Sequence, residues 1–358
     1  MMKGKNKPKI VVCGTGFGQI YLKGIDFFKD DYELVGILAR GSEVAKNCAL
    51  KYGVPLITNI NELKKEDIDI ACVVIRSTVV GGEGTSIAKQ LLSNGINVLQ
   101  EQPIHYNDYI ECIKTATRNR CLYSFNGFYS NLDISKEFIK VMRKIYRKSK
   151  INYIEASCSV HVLFSFIEFL GKVFNGFGNC SFEKVESKNY KSYFSEIRGE
   201  IKKIPISLKV INKISGIEPD NGIEFIFKIS IGTDAGTLIL TDVNGMVVWI
   251  PRMRIPHNKT NGMSIYDDDK MLKRPVSEIV YPYKERNYKE LYETVWPKGI
   301  GNVLVDFNKE IFNNEKNSNM QRIQLQIETC KIWGTIGELL GTAENINGDM
   351  PSKTIDEY

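Results

Sequence analysis

The sequence predicts an α/β fold with two domains, in which a doubly wound parallel sheet precedes an α+β domain with a largely antiparallel, open-faced sheet. Three observations predict it. The first 128 residues alternate apolar runs with helical stretches, a basic amphipathic helix interrupts this alternation, and longer strand-like runs separated by turn residues follow. The chain has 358 residues, enough for two cores, and we place the domains at residues 1–130 and 131–358.

Short apolar runs and helical stretches alternate along the first domain. The predicted strands are residues 9–14, 32–39, 68–75, 96–101 and 121–128. The predicted helices are residues 17–28, 42–52, 85–93 and 107–117. Ser42 is expected to cap the second of these helices. The third strand, IDIACVVI, is almost wholly apolar, which is typical of a parallel strand buried on both faces.

The second domain begins with a helix predicted at residues 136–150, whose apolar residues recur at helical spacing. Its other face carries Lys136, Lys140, Arg143, Lys144, Arg147, Lys148 and Lys150. A solvated face is the commoner meaning of such a pattern, and a docking surface for an acidic partner is the alternative. Strands are predicted at 151–160, 205–212, 223–232, 236–242 and 246–253, helices at 288–313 and 319–342, and a loose tail from residue 344.

Composition and cysteine spacing exclude several classes of protein. The net charge is +6, with 43% hydrophobic and 25% charged residues, which is ordinary for a soluble globular chain. The eight cysteines are scattered singly, so we expect no metal site, no disulfides and a reducing compartment. No run approaches the roughly 18 apolar residues of a membrane span, and the N-terminus lacks a signal-peptide core. We predict a cytoplasmic protein with no membrane or nucleic-acid partner.

The first strand leads into the sequence Gly14-Thr15-Gly16-Phe17-Gly18. Glycines at this spacing permit a tight turn and let the backbone approach a pyrophosphate, which the N-terminus of the next helix then faces. The third glycine of the usual dinucleotide fingerprint is replaced by a glutamine, which weakens the motif. Its place between an apolar strand and a helix restores the prediction of a dinucleotide site, and a glycine turn without a ligand is the alternative.

The end of the second strand indicates which dinucleotide binds. NAD enzymes usually place an acidic residue there for the ribose hydroxyls. This chain has Arg40 and Ser42, which could pair with and donate to a 2′-phosphate, so we predict NADP(H) as the cofactor. An ordinary surface arginine and a simple helix cap are the alternatives. After the third strand, Arg76, Ser77 and Thr78 begin a glycine-rich loop, where Ser77 and Thr78 are candidate cofactor contacts and Arg76 a candidate cofactor or substrate contact.

The stretch VLQEQPIHYND ends a predicted strand in Glu101-Gln102-Pro103. With the glycine-rich start and the open-faced sheet, it resembles the glucose–fructose oxidoreductase and inositol dehydrogenase superfamily. The resemblance implies a Rossmann fold for the first domain, with Glu101 and Pro103 at the dinucleotide. Many members have a lysine where this chain has Gln102. Many also open a helix of the second domain with His-x-x-Asp, and an alignment of SFIEFLGKVF puts Ser165 and Glu168 at these positions.

A narrower family matches several stretches of the chain. They are GFGQIYL (16–22), LVGILARGS (34–42), YGVPL (52–56), DIACVVIRSTVVGGEGT (69–85), VLQEQPIH (98–105) and NGFYSN (126–131), with looser matches at GMVVWIPRM (245–253) and LYETVWPKGI (291–300). The chain thus resembles the thiazolinyl imide reductases of siderophore assembly lines, of the yersiniabactin and pyochelin type. These enzymes reduce the C=N bond of a thiazoline to a thiazolidine with hydride from NADPH. Their substrate is tethered by a thioester to a peptidyl carrier protein of a nonribosomal peptide synthetase.

The resemblance implies this activity, NADP(H) as cofactor and a carrier protein as partner, and we expect a homodimer. In the family, a histidine between the acid and the proline and the tyrosine of an FY motif are the acid candidates. The tyrosine matches Tyr129, the histidine position is Gln102, and His105 matches a second histidine of the same block. His161 and His257 are interpreted as structural.

Sugar oxidation and imine reduction need different catalytic groups. Oxidation of a sugar hydroxyl needs a base, whereas reduction of an imine needs one proton at nitrogen, so Gln102 counts against sugar oxidation. We therefore predict Tyr129 as the proton donor, Gln102 as a residue that positions substrate or a water, and His105 as a second donor or a helix cap. Tyr129 as a packed aromatic between the domains and His105 as a surface histidine are the alternatives. Two other functions stay open: an NADP-dependent oxidoreductase of the superfamily acting on a different imine or carbonyl, and a non-catalytic NADP-binding regulator.

Overall fold

The structure is a computed structural model that describes residues 7–186, 192–218, 221–257, 262–263, 270, 272–313, 316–346 and 352–358. The first part of the chain contains β1 Lys9–Cys13, α1 Gly18–Phe27, β2 Glu33–Leu38, α2 Glu43–Tyr52, β3 Leu56–Ile57, β4 Ile70–Val73, α3 Gly84–Ser93, β5 Asn97–Glu101, α4 Tyr106–Arg118 and β6 Tyr123–Asn126.

The chain continues with further helices and strands. These are α5 Asp133–Tyr146, β7 Ile151–Ser159, α6 Leu163–Phe174, β8 Cys180–Val185, β9 Ser195–Ile201, β10 Ile204–Ile211, β11 Lys213–Ser215, β12 Phe227–Thr233, β13 Gly236–Leu240, β14 Val247–Pro251, β15 Glu278–Tyr281, α7 Tyr288–Glu290, α8 Trp296–Asn313, α9 Lys316–Leu340 and β16 Glu344–Ile346. A π-helical turn, Leu291–Val295, joins α7 to α8.

The six strands of the first sheet have the order β3-β2-β1-β4-β5-β6, and all their pairings are parallel. The predicted doubly wound parallel sheet is confirmed, and its strand order is the one typical of dinucleotide-binding folds. Strands β1 and β4 are central, and their apolar runs are almost fully buried because helices cover both faces. Strand β3 was not predicted, since its two residues are too few to show a periodicity.

Local signals in the sequence account for the bounds of α2. Ser42 caps its N-terminus, as predicted, and its Oγ accepts a hydrogen bond of 3.2 Å from the N–H of Ala45. Gly53 ends the helix in the left-handed region at φ +65°, where a side chain would be strained. The predicted helices of the first domain differ from the observed ones by one residue at their ends, which is the usual uncertainty of such boundaries.

The second sheet has eight strands in the order β15-β14-β13-β12-β7-β10-β9-β8. Strands β7 and β10 pair in parallel and the other neighbours are antiparallel, which confirms a largely antiparallel sheet. Strands β8, β9 and β15 were not predicted, because they are rich in charged and exposed residues. The tail is not loose at its start, where β16 pairs with β11 in a two-stranded parallel ladder.

The chain divides into two compact units. One consists of residues 1–133, 164–176 and 285–334, and the other of residues 134–163, 177–284 and 335–358. The predicted boundary after residue 130 lies close to residue 133, where the chain first passes from one unit to the other. Residues 164–176 and 285–334 return to the first unit. All eight cysteines are free thiols. Among the described residues, no helix is both long and apolar enough to cross a membrane.

Small residues allow α8 to lie close to α1 within the first unit. A Cβ at Gly24 would come within 2.9 Å of the side chain of Ile300, so this approach requires glycine. One turn earlier, Asn287 and Glu290 form a capping box that begins α7. The π-helical turn that follows places Trp296 at the start of α8, next to the loop after β1.

Candidate functional site

The carboxyl ends of parallel strands β1, β4 and β5 meet at one edge of the first sheet, where the glycine-rich loop begins. Gly14 has φ +99°, and a Cβ there would lie 2.5 Å from the carbonyl oxygen of Val74. Its N–H donates to the carbonyl of Leu38 at 2.8 Å. Gly16 is different, since no described atom lies within 4 Å of a Cβ at that position. Gly14 is therefore needed for the turn, whereas Gly16 leaves space for a ligand to approach the backbone.

The loop and the start of α1 fit a pyrophosphate. Phe17 lies at the N-cap position, and no described side chain caps this end of the helix. Gly18 packs on Val12, with 3.5 Å between a Cβ at this glycine and Cγ1 of the valine. Gln19, which stands at the third glycine position, donates through Nε2 to the carbonyl of Thr15 at 3.0 Å. Because the glutamine turns back onto the loop, it does not block the ligand-facing backbone, so the departure from the fingerprint is tolerated.

Arg40 lies at the carboxyl end of β2, as predicted, but it is paired with an acid. Its Nη2 is 2.8 Å from Oε2 of Glu83, with the two side chains 85% and 66% exposed. The acidic residue that was missing from β2 thus comes from the loop after β4, a long-range contact that the sequence did not reveal. An exposed pair of this kind is weak, so a 2′-phosphate could displace the carboxylate from Arg40. Ser42 lies beside Arg40 and accepts the capping bond of α2.

The loop after β4 is tied to the Glu-Gln-Pro block. The hydroxyl of Ser77 donates to the carbonyl oxygen of Pro103 at 2.6 Å, and Ser77 is only 1% exposed. The carbonyl of Arg76 accepts from the N–H of Gly84 at 2.8 Å, which closes the loop. Thr78 begins an exposed 3-10 turn. Ser77 therefore has a structural bond in addition to its predicted cofactor contact, and Thr78 is on the accessible side of the loop.

Glu101 is the centre of a hydrogen-bonded cluster at the end of β5. The hydroxyl of Tyr21 donates to its Oε2 at 2.5 Å, and Nδ2 of Asn126 donates to the same oxygen at 3.3 Å and to the Tyr21 hydroxyl at 2.7 Å. Burial raises the pKa of the Glu101 carboxyl to about 8, although bonds from Tyr21, Asn126 and Gln102 oppose the rise. Burial, together with the Glu101 charge, raises the pKa of Tyr21 well above its ordinary value.

Gln102 presents an unsatisfied acceptor. Its side-chain amide donates to Glu101, while its Oε1 is buried and has no hydrogen-bond partner among the described residues. A buried carbonyl oxygen without a donor is costly, so this atom is suited to accept a hydrogen bond from a ligand. The peptide bond between Gln102 and Pro103 is cis.

Tyr129 follows a strained turn after β6. Phe128 has φ 57° and ψ −77°, and the N–H of Tyr129 donates to the carbonyl of Gly127 at 2.8 Å. These values define a γ-turn of the rare positive-φ type, which is strained for a side chain other than glycine. Such strain persists only where the surroundings hold it, and it is concentrated at functional sites. The turn therefore fixes the position of the Tyr129 backbone.

Aromatic rings of the glycine-rich loop and of α8 pack against the rings of this turn. Phe128 contacts Phe17 of the glycine-rich loop at 5.4 Å and Trp296 of α8 at 5.2 Å between ring centroids. The Tyr129 ring lies 4.9 Å from Phe128 and 6.2 Å from Trp296, and Tyr129 is 7% exposed. Tyr129 is thus a buried member of an aromatic cluster that touches the cofactor loop, in agreement with the packed-aromatic alternative, while its predicted acid role stays a prediction.

Helix α6 contributes an ion pair to the same turn. Nζ of Lys172 lies 2.8 Å from Oε1 of Glu168, which is 4% exposed, and donates to Ser130 and Asn131 at 2.9 and 3.1 Å. A Cβ at Gly127 would lie 2.5 Å from Oε2 of Glu168, so glycine is required there. Glu168 is one of the two residues that the superfamily alignment singled out. The other, Ser165, is fully buried, and its hydroxyl has no hydrogen-bond partner among the described residues.

His105 caps α4. Its Nδ1 accepts from the N–H of Asn107 at 3.3 Å, and the residue is exposed. This is the capping role that the sequence left open for it. Among the predicted site residues, the structure therefore brings Gln102 and Glu101 into direct contact and puts Tyr129 in the aromatic cluster, whereas His105 serves the helix terminus.

Comparison with known proteins supports this description of the first unit. Residues 8–127 match the family model GFO_IDH_MocA, an oxidoreductase family with an NAD-binding Rossmann fold. This stretch is about a third of the chain, and its six-stranded parallel sheet agrees with the Rossmann fold of that family. No curated protein matches the chain.

Several solved structures share the fold along nearly the whole chain. A variant of KijD10, a 3-ketoreductase from Actinomadura kijaniata in complex with TDP-benzene and NADP, has 12% identity and a TM-score of 0.64, covering 95% of this chain and 99% of that one. The WlbA dehydrogenase from Bordetella pertussis, in complex with NADH and UDP-GlcNAcA, has 13% identity and a TM-score of 0.62, covering 93% and 96%. The dehydrogenase MviM from Clostridium difficile has 14% identity and a TM-score of 0.62, covering 92% and 100%. At these identities the likeness shows the fold alone.

Four residues of the site were not singled out from the sequence. Tyr21 and Asn126 support Glu101, Glu83 pairs with Arg40, and Lys172 supports the turn before Tyr129. All four stand inside stretches quoted for the two resemblances, so their presence there was a usable signal. The contacts of Glu83 and Lys172 join segments more than 40 positions apart, and no local pattern predicts such a pairing.

Proposed function

We propose that the protein reduces the C=N bond of a carrier-protein-tethered thiazoline to a thiazolidine, with NADPH as reductant, in nonribosomal siderophore biosynthesis. The use of a nicotinamide dinucleotide and the choice of substrate are supported by different observations. The Rossmann domain and its oxidoreductase family support a reaction that uses a nicotinamide dinucleotide. The substrate rests on the chemistry of the residues at the end of β5 and on the sequence resemblance described above.

One observation carries the proposal: the position between Glu101 and Pro103 holds an amide, and its neighbour is a carboxyl with a raised pKa. Oxidation of an alcohol needs a group that accepts a proton, and Gln102 cannot accept one. Reduction of an imine needs a group that donates a proton. A carboxyl that keeps its proton at neutral pH provides a donor, so the site is better suited to reduction than to oxidation.

In this proposal, different residues of the first unit bind different parts of the dinucleotide. NADPH, when bound, supplies the hydride. Gly14, Gly16 and the N-terminus of α1 hold the pyrophosphate through backbone N–H groups. Arg40, once released from Glu83, pairs with the 2′-phosphate. These interactions orient the dinucleotide at the edge of the sheet where Glu101 and its partners lie.

Carbonyl reduction is a second candidate, because it also needs a proton donor. One structural neighbour is a 3-ketoreductase, and this favours a ketone as the alternative substrate. The buried Oε1 of Gln102 argues for the imine. An imine nitrogen is basic enough to take up a proton before hydride arrives and then presents an N–H to this acceptor, whereas a ketone oxygen has no hydrogen to offer until it is reduced.

A substrate comparison tests the proposal. Purified protein is mixed with NADPH or NADH and with an aryl or alkyl thiazoline thioester, its methyl ester, or a matched ketone, and dinucleotide oxidation is followed by absorbance. We expect turnover of the thiazolines with NADPH, and mass spectrometry of the product should show a gain of two hydrogens. Turnover of the ketone alone would support carbonyl reduction, and dinucleotide binding without turnover of any substrate would support a regulator.

The basic face of α5 is the surface that we propose for the acidic carrier protein. Lys144, near the end of α5, and Arg147, the residue directly after α5, are exposed, and charges of one sign attract an oppositely charged partner at low ionic strength. The double change Lys144→Glu with Arg147→Glu should raise KM for the carrier-tethered thiazoline and leave KM for the small ester unchanged. Lys114→Glu, at an exposed position of α4, is the control. Equal effects on both substrates would contradict this docking surface.

A further inference from the structure

We propose that Glu101 donates the proton to the imine nitrogen, with Tyr21 as the positioning residue that holds its carboxyl. This inference rests on the proposed function, since it concerns the same reduction. It assigns the acid to the residue that precedes Gln102, and it leaves Tyr129 as a packed residue that shapes the site.

The position of Glu101 in the sheet suits a donor. It is the last residue of β5, at the edge where the glycine-rich loop and the loop after β4 also begin. Tyr21 is 0% exposed, whereas Glu101 is partly exposed. Tyr21 and Asn126 both donate to Oε2, so they anchor the carboxyl from its buried side. The carboxyl is thus held by hydrogen bonds in a residue that is partly exposed, at the edge of the sheet where a ligand would meet it.

The surroundings keep the carboxyl neutral. Burial raises its pKa to about 8, so at neutral pH it carries a proton. The titratable groups that face it are the hydroxyl of Tyr21 from α1 and the thiol of Cys72 from β4, while Asn126 from β6 and Gln102 do not titrate. Burial raises the pKa of Tyr21 and of Cys72 as well, so both stay neutral over the working range. An acid whose pKa lies near the operating pH is well matched to proton donation.

The proposed step balances. The lone pair of the imine nitrogen forms the N–H bond with the Glu101 proton, and hydride from the reduced nicotinamide then forms the new C–H bond at the carbon while the π electrons of C=N become the nitrogen lone pair. The O–H bond of Glu101 breaks and leaves a carboxylate, to which Tyr21 and Asn126 already donate. The carbon–nitrogen bond gains two electrons and the nicotinamide loses two. Water then returns a proton to Glu101 through its exposed side.

Gln102 and Tyr129 take supporting roles in this scheme. Oε1 of Gln102 is an acceptor without a partner in the described part of the chain, and it can bind the hydrogen on the imine nitrogen. The Tyr129 ring lies among Phe128 and Trp296, so its removal should change packing more than proton supply. The scheme therefore predicts different pH behaviour for changes at Glu101 and at Tyr129.

The experiment compares the pH dependence of single-turnover reduction in Glu101→Gln, Tyr21→Phe and Tyr129→Phe, with Tyr109→Phe as a matched buried tyrosine whose hydroxyl bonds Gln326 instead. For an acid donor, the wild-type rate should be constant below pH about 8 and fall above it. Glu101→Gln should lose roughly 100-fold or more in rate at saturating NADPH, and the falling limb should disappear. Tyr21→Phe should move the limb to higher pH, because the lost bond stabilised the carboxylate.

A second measurement does not depend on turnover. Infrared difference spectra of the protein, recorded with and without NADP across pH, should contain a protonated-carboxyl band that is lost as the pH passes about 8 and is absent in Glu101→Gln. Glu101→Asp should retain the limb at a reduced rate. If the wild type reduces no thiazoline, the proposed function is overturned. If it does, and Glu101→Gln keeps the rate and the limb while Tyr129→Phe loses them, only the assignment of Glu101 is overturned.

Discussion

Replacing Glu101 by glutamine should make the protein more stable, and increasingly so as the pH rises. Folding raises the pKa of this carboxyl from 4.5 to about 8. Between these two values the folded state therefore binds a proton that the unfolded state has lost. Unfolding then becomes easier as the pH rises, since stability falls wherever the folded state holds more protons. Glutamine has a similar shape and does not titrate, so Glu101→Gln removes this loss.

The size of the effect follows from the shift. One pKa unit corresponds to about 1.4 kcal/mol, so a shift from 4.5 to about 8 sets an upper limit of roughly 5 kcal/mol. Glu101 is partly exposed, and water reduces the penalty of its charge, so a difference of about 2–4 kcal/mol is expected. The difference between variant and wild type should be small below pH 5, grow through pH 5–8, and remain constant above.

The assay has to report on the first unit alone, because the chain has two compact units and need not unfold in one step. Trp296 and Trp333 lie in the first unit and Trp249 in the second. Trp249→Phe therefore restricts tryptophan fluorescence to the first unit. Urea unfolding of this background, with and without Glu101→Gln, gives the difference in unfolding free energy at each pH from 5 to 9.

A difference that does not change with pH would refute the reasoning, because it would mean that Glu101 is ionised in the folded protein as it is in the unfolded one. A variant that is less stable than the wild type at every pH from 5 to 9 would mean that the cluster favours the carboxylate, and that Tyr21 and Asn126 outweigh burial. Glu62→Gln, at an exposed position outside the cluster, serves as the control.

Five further substitutions, at three places, test other parts of the site. Gly14→Ala should destabilise the fold by about 2 kcal/mol or more in thermal unfolding, because of its positive φ and close backbone contact, whereas Gly16→Ala should fold normally and bind NADPH at least tenfold more weakly by fluorescence titration. Arg40→Ala should weaken NADPH about tenfold and NADH little, while Glu83→Gln should strengthen NADPH; equal effects on both dinucleotides would contradict a 2′-phosphate contact. Lys172→Met should cost about 3 kcal/mol of unfolding free energy in urea, since it leaves a buried carboxylate unpaired.

The first sheet could be predicted from the sequence because its signals are local. Apolar runs such as β4 are continuous, and caps such as Ser42 stand directly before the helix that they begin. Strands β8 and β9 carry no such signal. They are edge or near-edge strands whose residues are largely polar, and their place in the sheet is set by backbone pairing with β10 and with each other.

The candidate site was predicted in part for the same reason. The glycine-rich loop and the Glu-x-Pro block are sequence motifs, and the structure brings both to the same sheet edge. The protonation of Glu101 could not be predicted, because it arises from burial by residues distant in the sequence. Tyr21 is 80 positions and Asn126 25 positions from it. The pairing of Arg40 with Glu83 could not be predicted either, because the two residues are 43 positions apart in the sequence.

The residue at position 102 affects whether the carboxyl at position 101 is neutral. A lysine at position 102, which many members of the superfamily have, would put an ammonium group beside Glu101 and favour its carboxylate. Gln102 is uncharged and adds only a hydrogen bond, whose effect on the Glu101 pKa is smaller than that of burial. The exchange of lysine for glutamine therefore removes a base from the site and at the same time allows Glu101 to keep its proton. In the proposed imine reduction, the Glu101 carboxyl then supplies the proton that the substrate nitrogen needs, in place of the missing lysine.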